Sequence, residues 1–259
     1  MSQPKQITLS AITGIPLIQE GDDLAEIIYQ AAADCEMVFM DGDVLILAQK
    51  IVSKAERRLV NLTTVIPTAE AVELAAFLDK RPELVEMILR ESSEVLRTRP
   101  GTIIVQHKAG FVCANAGIDH SNVKGPWGDD NDWVLLLPED SDKSAELIRK
   151  SLEEKTGKRL AVLIIDSHGR AWRNGIVGTT IGLSGLPGLV DMRGTEDMNG
   201  YKMRVTTVAA ADELAGAASL LMGQTSEGTP VVLARGFPYP LREGSVTELI
   251  RDKERDLFR

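Results

Sequence analysis

The feature that most constrains the fold is a run of six apolar residues that ends at an acid. Residues 160–165 read Leu-Ala-Val-Leu-Ile-Ile, and Asp166, Ser167, His168 and Gly169 follow directly. An uninterrupted apolar run of this length is typical of a strand that is buried on both faces of a sheet. Because small polar residues follow it, the sequence predicts that the strand ends at Asp166. This carboxylate would then lie at the rim of the sheet, where ligands often bind.

A second segment has the same organisation. The apolar residues 111–114 lead into Asn115-Ala116-Gly117-Ile118, and Asp119 follows. Two such rims in one chain predict that Asp119 and Asp166 are brought together around a hard cation. An Asp at a strand end is also commonly an Asx-turn residue that accepts from nearby backbone amides, so both interpretations stay open for each acid taken alone.

The side chains beside the two acids favour one class of ion. Ser167 follows Asp166, and Ser121 and Asn122 follow Asp119, so oxygen ligands are plentiful. Such a set suits Mg²⁺ or Mn²⁺ better than zinc. The histidines show no zinc spacing, and neither cysteine belongs to a Cys-x-x-Cys pair. We interpret the two histidines that adjoin an acid, His120 and His168, as rim residues, with contact to metal or substrate as the alternative.

Strand and helix patterns alternate along the chain. The predicted strands cover residues 6–13, 44–48, 102–106, 111–114, 160–165 and 230–235. One helix is predicted to begin at Leu24, and the others cover residues 53–59, 68–78, 82–97, 141–156, 209–222 and 247–258. No internal repeat or low-complexity tract interrupts this order. The pattern predicts a mixed α/β or α+β fold in one integrated unit, residues 1–259.

The composition excludes several classes of protein. No apolar run approaches the roughly 20 residues of a membrane-spanning helix, and the N-terminus lacks the apolar core of a secretory signal. Cys35 and Cys113 are far apart in apolar surroundings, which is typical of buried thiols in a reducing cytosol. A net charge of −9 disfavours binding to a nucleic-acid backbone. We therefore expect a cytoplasmic protein without a membrane or nucleic-acid partner.

Three further segments have the composition of binding sites, each with a plainer alternative. The glycine-rich stretch 170–185 would let backbone approach a ligand, with Arg170 and Arg173 as anion-binding forks, or it is an irregular structural region. The loop 222–230 would cradle phosphate, or it is a plain helix-to-strand connection, and it has no Walker A ending. Lys54, close after a buried strand, is either catalytic or solvated.

Several short motifs occur in an order that resembles a known family. They are Gly14-Ile15-Pro16-Leu17-Ile18, Glu20 to Leu24, Asp41-Gly42-Asp43-Val44, Ser53-Lys54-Ala55-Glu56, Asn115 to Asp119 with Ser121-Asn122-Val123, Asp166 with Gly169-Arg170, and Gly175-Ile176-Val177-Gly178. Together they are similar to the coenzyme F420-0:γ-glutamyl ligases, from about Ile12 to the C-terminal segment. The resemblance implies that family's fold, with mixed sheets, flanking helices and two intertwined lobes. It also implies the stand-alone ligase without a fused flavin domain.

The resemblance implies a reaction. These enzymes use GTP to activate a terminal carboxylate of the deazaflavin precursor F420-0 as an acyl phosphate. The amine of L-glutamate then attacks, which gives coenzyme F420, GDP and phosphate, and later rounds add further γ-linked glutamates. Such a reaction brings several anions together, so charge neutralisation is its central requirement. Two divalent ions, Mg²⁺ or Mn²⁺, are implied, with K⁺ as an additional ion and a homodimer as the assembly.

The resemblance also assigns residues to roles. Asp119 and Asp166 match the first metal site, and Ser167 and Gln224 match the second. The positions that match nucleotide contacts are Ile15, Pro16, Leu17, Ile18, Gln49, Lys50, Lys54, Asn122, Met222, Gly223, Gln224, Thr225, Ser226, Glu227, Gly228 and Thr229. Lys54 is also a candidate catalytic residue, and we add Arg170 and Arg173 as candidate anion clamps.

Some positions depart from the archaeal pattern of the family. Two rival functions also stay open. The family has Ser-Thr where this chain has Gln49-Lys50, Thr at Ser167 and Glu at Gln224; the last change removes a charge from the second metal site. One rival is a ligase of the same fold with a different acceptor or amino acid, because no residue in the sequence specifies a deazaflavin ring. The other is a non-catalytic module that binds nucleotide or metal.

Overall fold

A five-stranded mixed sheet organises the chain in the computed structural model, which describes residues 5–258. Residues 1–4, part of the segment judged to lack a secretory signal, and residue 259 lie outside the described residues. The strands lie in the order β1, β12, β2, β8 and β9. Only β2 and β8 are parallel neighbours; the other three pairings are antiparallel. Their bounds are Thr8–Ile12 (β1), Val231–Arg235 (β12), Val44–Ala48 (β2), Ala161–Arg170 (β8) and Arg173–Ser184 (β9).

Helices cover both faces of this sheet. On one face, Leu45 and Leu47 of β2 pack in a core with residues of α1 (Leu24–Asp34) and α5 (Ser141–Thr156). On the other face, alternate residues of β2 and β8 pack against α6 (Ala210–Met222). Because both faces of these strands are covered, each needs apolar residues at every position. The predicted buried strands at residues 44–48 and 160–165 are therefore confirmed.

A second body is inserted between α2 (Gln49–Ala55) and α5. It contains a three-stranded antiparallel sheet in the order β4, β5, β6, a two-stranded pair of β3 and β7, and two helices. Its elements are β3 Leu59–Asn61, α3 Ala69–Leu78, α4 Pro82–Arg90, β4 Ser92–Arg99, β5 Thr102–His107, β6 Val112–Ala114 and β7 Trp133–Leu135. A separate core, which includes Ala75, Ile88 and Val105, packs the helices against this sheet. Separate sheets with their own helices confirm the predicted α+β class.

A small antiparallel pair, β10 (Val190–Asp191) and β11 (Thr207–Val208), lies between β9 and α6 in the chain. Short 3₁₀ turns occur at Leu62–Thr64, Asn115–Gly117, Asp130–Asp132, Val246–Leu249 and Lys253–Arg255. None of the helices described within residues 5–258 has the length and apolar character needed to cross a membrane. Cys35 and Cys113 are free thiols; Cys113 is buried as predicted, whereas Cys35 is only half-buried.

Four predicted boundaries are wrong. The helix predicted over 82–97 ends at Arg90, where the Ser92 hydroxyl donates to the Ile88 carbonyl, and a strand follows whose inner residues alternate in exposure. The helix predicted over 53–59 instead runs Gln49–Ala55, because the chain turns into it directly from β2. The predicted C-terminal helix is two separate 3₁₀ turns. In this tail Glu248 pairs with Arg242 and Lys253 with Glu94, so its side chains are bound to separate parts of the fold.

The fourth correction concerns the strand before Asp166. Strand β8 does not end there but continues to Arg170 and forms a hairpin with β9, in which Asp166 is paired with Thr179. Only the parallel partner β2 ends at this level, since Ala48 pairs with Ile165. Asp166 therefore has a neighbouring strand only on its β9 side, and it lies at the rim of the sheet on the side where β2 has ended.

The glycine-rich stretch is mostly strand β9, and close packing explains one of its glycines. A Cβ atom at Gly178 would lie 2.5 Å from the Ala215 carbonyl oxygen of α6. At this position the structural alternative is correct, because glycine lets a helix rather than a ligand approach the backbone.

Candidate functional site

The candidate site lies where parallel strands β2 and β8 end side by side. Since Ala48 pairs with Ile165, the next residues, Gln49 and Asp166, leave the sheet at the same level. Polar residues at the carboxyl ends of parallel strands commonly bind ligands. Helix α2 begins at Gln49 and therefore adds its first turn to this rim.

The inserted body brings Asp119 to the same rim. Asn115, Ala116 and Gly117 all have positive φ, between 52° and 67°, and form a tight left-handed turn after β6. Asp119 then makes a two-way backbone bridge with Leu135, with both N···O distances 2.9 Å. Its side chain reaches α2, where Gln49 Nε2 donates to Oδ2 at 2.5 Å and Lys50 Nζ lies 3.6 Å from Oδ1. The fold therefore brings Asp119 close to Asp166, as predicted. The cation between them stays a prediction.

Both acids line one cavity of about 340 Å³. The other lining residues come from α2, the turn after β6, β8, β9 and the loop after α6. They are Lys50, Ala114, Asn115, Gly117, Ile118, Ser121, Ser167, His168, Gly169, Ile176 and Gln224. All four residues predicted as metal ligands are therefore brought together at this cavity.

The charge of Asp166 and burial act on Asp119. Burial and the neighbouring Asp166 together raise the pKa of the Asp119 carboxyl to about 6, against the opposite effects of Lys50 and Gln49. The ionised form of Asp119 is therefore disfavoured beside Asp166. A cation bound between the two carboxylates would stabilise it. Electrostatics of this kind are more frequent at functional sites than elsewhere in proteins.

Gln49 is held in place beneath Asp119. It is 1% exposed, and its Oε1 accepts from the buried Ser53 hydroxyl at 2.8 Å. This contact fixes the orientation of the amide, so that Nε2 faces Asp119. The structure thus gives Gln49 a contact with the acid that the sequence did not predict; its predicted contact with nucleotide stays a prediction.

Two lysines and Asn122 join α2 to the loops around the cavity. Lys50 Nζ donates to the Ser121 hydroxyl at 2.9 Å, and Lys54 Nζ donates to the Asn122 carbonyl at 3.1 Å. Asn122 Nδ2 donates in turn to the Thr225 carbonyl at 3.0 Å. Burial and the nearby Lys50 lower the pKa of Lys54. Predicted nucleotide contacts from three separate segments therefore lie in one connected network.

The loop 222–229 follows α6 and closes one side of the cavity. Gln224 Oε1 accepts from the Ser167 hydroxyl at 2.8 Å, which joins the two residues predicted for a second metal. Glu227 accepts from the Thr225 backbone amide at 2.8 Å and so folds the loop on itself. Thr229 donates through its hydroxyl to the Leu221 carbonyl at 3.0 Å. Gly223, Ser226 and Gly228 belong to the same loop, whereas Met222 is the last residue of α6 and is buried in the core.

Of the predicted nucleotide contacts, only Lys50 and Gln224 line the cavity itself. Two groups of predicted residues lie outside both the cavity lining and the network around it. Arg170 and Arg173 pair with each other at the turn between β8 and β9, and both are exposed. The segment Ile15 to Ile18 follows β1; Leu17 is 86% exposed, whereas Ile18 is buried in the core. That segment is fixed near α2, because the Gly21 amide donates to the Ala55 carbonyl at 2.9 Å.

His168 is in direct contact with Asp166. Its Nε2 lies 3.1 Å from Asp166 Oδ2, and its side chain is only 9% exposed. It packs against Phe111 with ring centroids 5.5 Å apart. His120 is exposed, as expected of a rim residue, whereas His168 contacts the candidate acid, and its role in metal or substrate contact stays a prediction. Its position two residues after Asp166 was the available signal, because alternate residues of a strand share a face.

The arrangement can accept a hard divalent ion. Within residues 5–258, no group of three or more His, Cys, Asp or Glu side chains is arranged to hold a metal. Mg²⁺ is commonly bound by one or two carboxylates, with substrate phosphates and water as the remaining ligands. Asp119 and Asp166 with the oxygens of Ser167 and Gln224 fit that description, and Asn115 Oδ1 is a further buried acceptor without a hydrogen-bond partner.

Comparison with known proteins agrees with these features. The family model described as F420-0:Gamma-glutamyl ligase matches residues 13–236. A coenzyme F420:L-glutamate ligase of Methanothermobacter thermautotrophicus is 45% identical over 255 residues, which cover 98% of this chain and 99% of the relative. Proteins of the same name from Methanocaldococcus jannaschii and Archaeoglobus fulgidus are both 42% identical, over 95% and 98% of this chain and 94% and 97% of the relatives. The chain belongs to the F420-0:γ-glutamyl ligase family.

Proposed function

We propose that the chain is a GTP-dependent ligase that joins L-glutamate to F420-0 and forms coenzyme F420. The observation that carries this proposal is the cavity that Asp119 and Asp166 line together with Lys50, Ser121 and Gln224. Beside these residues in the chain, Lys54, Asn122 and Thr225 form a hydrogen-bonded network of predicted nucleotide contacts. The names of the relatives, which are coenzyme F420:L-glutamate ligases with 42–45% identity, support the acceptor and the amino acid.

The proposed chemistry begins with activation of a carboxylate. The terminal carboxylate of F420-0 attacks the γ-phosphorus of GTP, the bond to the bridging oxygen breaks, and GDP leaves. The resulting acyl phosphate is attacked by the amine of L-glutamate, which forms the amide and releases phosphate and a proton. Both steps gather negative charge, so the site must neutralise it and hold the reactants in line.

Four residues of the cavity are assigned to metal binding. Asp119, Asp166, Ser167 and Gln224 hold two divalent ions, Mg²⁺ or Mn²⁺. When bound, these ions offset the charge of the phosphates and polarise the reacting phosphoryl group. Gln224 contributes a carbonyl oxygen rather than a charge, so the second ion is the more weakly held.

The lysines supply fixed positive charge at the nucleotide. Lys50 and Lys54 project from successive turns of α2, and the lowered pKa of Lys54 is explained by burial beside Lys50. A phosphate group at this position would relieve the repulsion between the two ammonium groups. Lys54 is the proposed catalytic lysine. Residues Ile15 to Ile18, Gln49, Asn122 and the loop 222–229 complete the proposed nucleotide site.

Arg170 and Arg173 serve a separate role in this scheme. Both are exposed on the hairpin turn beyond the cavity. Planar guanidinium groups bind carboxylates in a bidentate manner. We assign them to an anionic part of the acceptor or of L-glutamate, which would enter along the hairpin.

The proposal includes conditions and assembly. We place the enzyme in the cytoplasm as a homodimer, with K⁺ as an additional ion. A homodimer is supported by apolar side chains that are exposed on the β8–β9 hairpin and on α6. They are Trp172, Ile176 and Leu220, and a second copy would cover them.

Release of GDP tests this function. We expect GDP release to require F420-0 and L-glutamate together, with Mg²⁺ or Mn²⁺ present. Asp166→Asn should abolish it, whereas the matched control Asp34→Asn, at the exposed end of α1, should leave it unchanged. GDP release without an acceptor would contradict the ligase, and no GDP release would favour the non-catalytic rival.

A further inference from the structure

We propose that His168 is a positioning residue that fixes the carboxylate of Asp166. Its imidazole engages Oδ2 and leaves Oδ1 to the cavity. This inference rests on the proposed function, in which Asp166 is a metal ligand.

The contact follows from the geometry of β8. Asp166 and His168 are two residues apart on a strand, so their side chains lie on the same face. His168 Nε2 and Asp166 Oδ2 are 3.1 Å apart, and the side chains are 9% and 13% exposed. A carboxylate oxygen only accepts hydrogen bonds, so Nε2 carries the proton and donates it.

Two contacts restrict the position of the imidazole. The backbone of His168 is paired with Val177 of β9. Phe111 lies against its ring, with 5.5 Å between centroids and 44° between planes. Phe111 in turn stacks on the buried His107, at 5.1 Å and 5°. A side chain packed in this way has little freedom to change rotamer, so it can impose an orientation on its partner.

The second acid is held in an equivalent manner. Ser53 orients Gln49, and Gln49 donates to Asp119 Oδ2. Each acid therefore has one oxygen bound to a packed donor before any ion arrives. Such donors orient metal ligands, and their loss typically weakens metal affinity about 10–100-fold. His168 is not itself the ligand in this scheme, because the nitrogen that faces Asp166, Nε2, carries the proton and has no free lone pair for a metal.

Mn²⁺ binding without nucleotide or acceptor tests the role. Titration followed by electron paramagnetic resonance should give about 10–100-fold weaker binding for His168→Leu, which has no donor. His168→Gln places an amide Nε2 near the same point and should bind within about threefold of the wild type. Thermal melts of all three proteins in EDTA report whether each is folded.

A second readout needs no metal. The chain has three histidines, so their imidazole ¹⁵N signals can be assigned by single substitutions. At pH 8 the metal-free protein should give the Nε2–H tautomer for His168.

The possible results separate the two proposals. Equal Mn²⁺ affinity in folded wild type and His168→Leu would overturn the positioning role alone, as would the Nδ1–H tautomer. Nitrogen hyperfine coupling from His168 to bound Mn²⁺ would also overturn it, because His168 would then be a ligand. Failure of the wild type to bind Mn²⁺ would overturn the proposed function and this role with it.

Discussion

Replacing Asp119 with Asn should stabilise the metal-free protein while removing its metal site. Burial and the charge of Asp166 raise the pKa of Asp119 from 3.8 to about 6, so the folded state binds this proton more tightly than the unfolded state does. The stability that the protonated group gives is fully present below the unfolded pKa and is lost as the pH rises through about 6. At pH 8 the ionised carboxylate is therefore a cost that the Asn variant does not carry.

The pKa shift sets the size of the effect. At about 1.4 kcal/mol per pKa unit, the full shift corresponds to roughly 3 kcal/mol. The side chain is 25% exposed, and solvent screens part of this energy, so we expect a gain of about 1–2 kcal/mol at pH 8. In a chain of this size that is a rise in Tm of roughly 2–8 °C.

Thermal and urea melts in EDTA measure the effect at pH 8 and pH 4.5. The advantage of Asp119→Asn should shrink at the lower pH, because the wild-type side chain is then mostly protonated in the folded state. Mn²⁺ should raise the Tm of the wild type but not of the variant. Asp34→Asn is the matched control and should show no pH-dependent gain. A variant that is less stable than the wild type by the same amount at both pH values would contradict a destabilising effect of the ionised Asp119 carboxylate.

Four further predictions test neighbouring parts of the site. Gln49→Leu leaves Asp119 without its amide donor and should cost about 1–3 kcal/mol in urea melts; unchanged stability would show that the contact is unimportant. Gly223→Ala should raise KM for GTP, because Gly223 has φ of 70° and a Cβ there would lie 2.1 Å from Glu227; an unchanged KM would separate this loop from nucleotide binding. Gln224→Glu restores a carboxylate and should tighten Mn²⁺ binding in calorimetry, most clearly at the weaker site; weaker binding would remove Gln224 from the metal ligands. Acceptor labelled with ¹⁸O in its terminal carboxylate should transfer one labelled oxygen to the released phosphate, as mass spectrometry would detect; unlabelled phosphate would exclude the acyl phosphate.

The buried strands could be predicted because their signal is local. Strands β2 and β8 need apolar residues on both faces, and the sequence shows this directly. The boundary errors arose where tertiary contacts decide the outcome. The continuation of β8 past Asp166 depends on pairing with β9, and the end of α4 depends on the pairing of β4 with β5.

The same distinction holds for the site. Asp119 and Asp166 could be predicted as a pair from similar local patterns. The buried donor Gln49 could not be assigned, because its partner Asp119 depends on how the inserted body folds. His168 has a local signal, two residues after Asp166, but it points to a contact only if β8 continues past Asp166. The positions of Arg170 and Arg173, beyond the cavity lining, follow from the length of that hairpin and have no signal in the residue types.

The mass of F420-0 after incubation with the pure protein tests the central claim most directly. With GTP, Mn²⁺ and L-glutamate present, we expect an acceptor that carries at least one added glutamyl residue, and no such product with Asp166→Asn. Unmodified F420-0 in the presence of folded, metal-bound wild-type protein would contradict it.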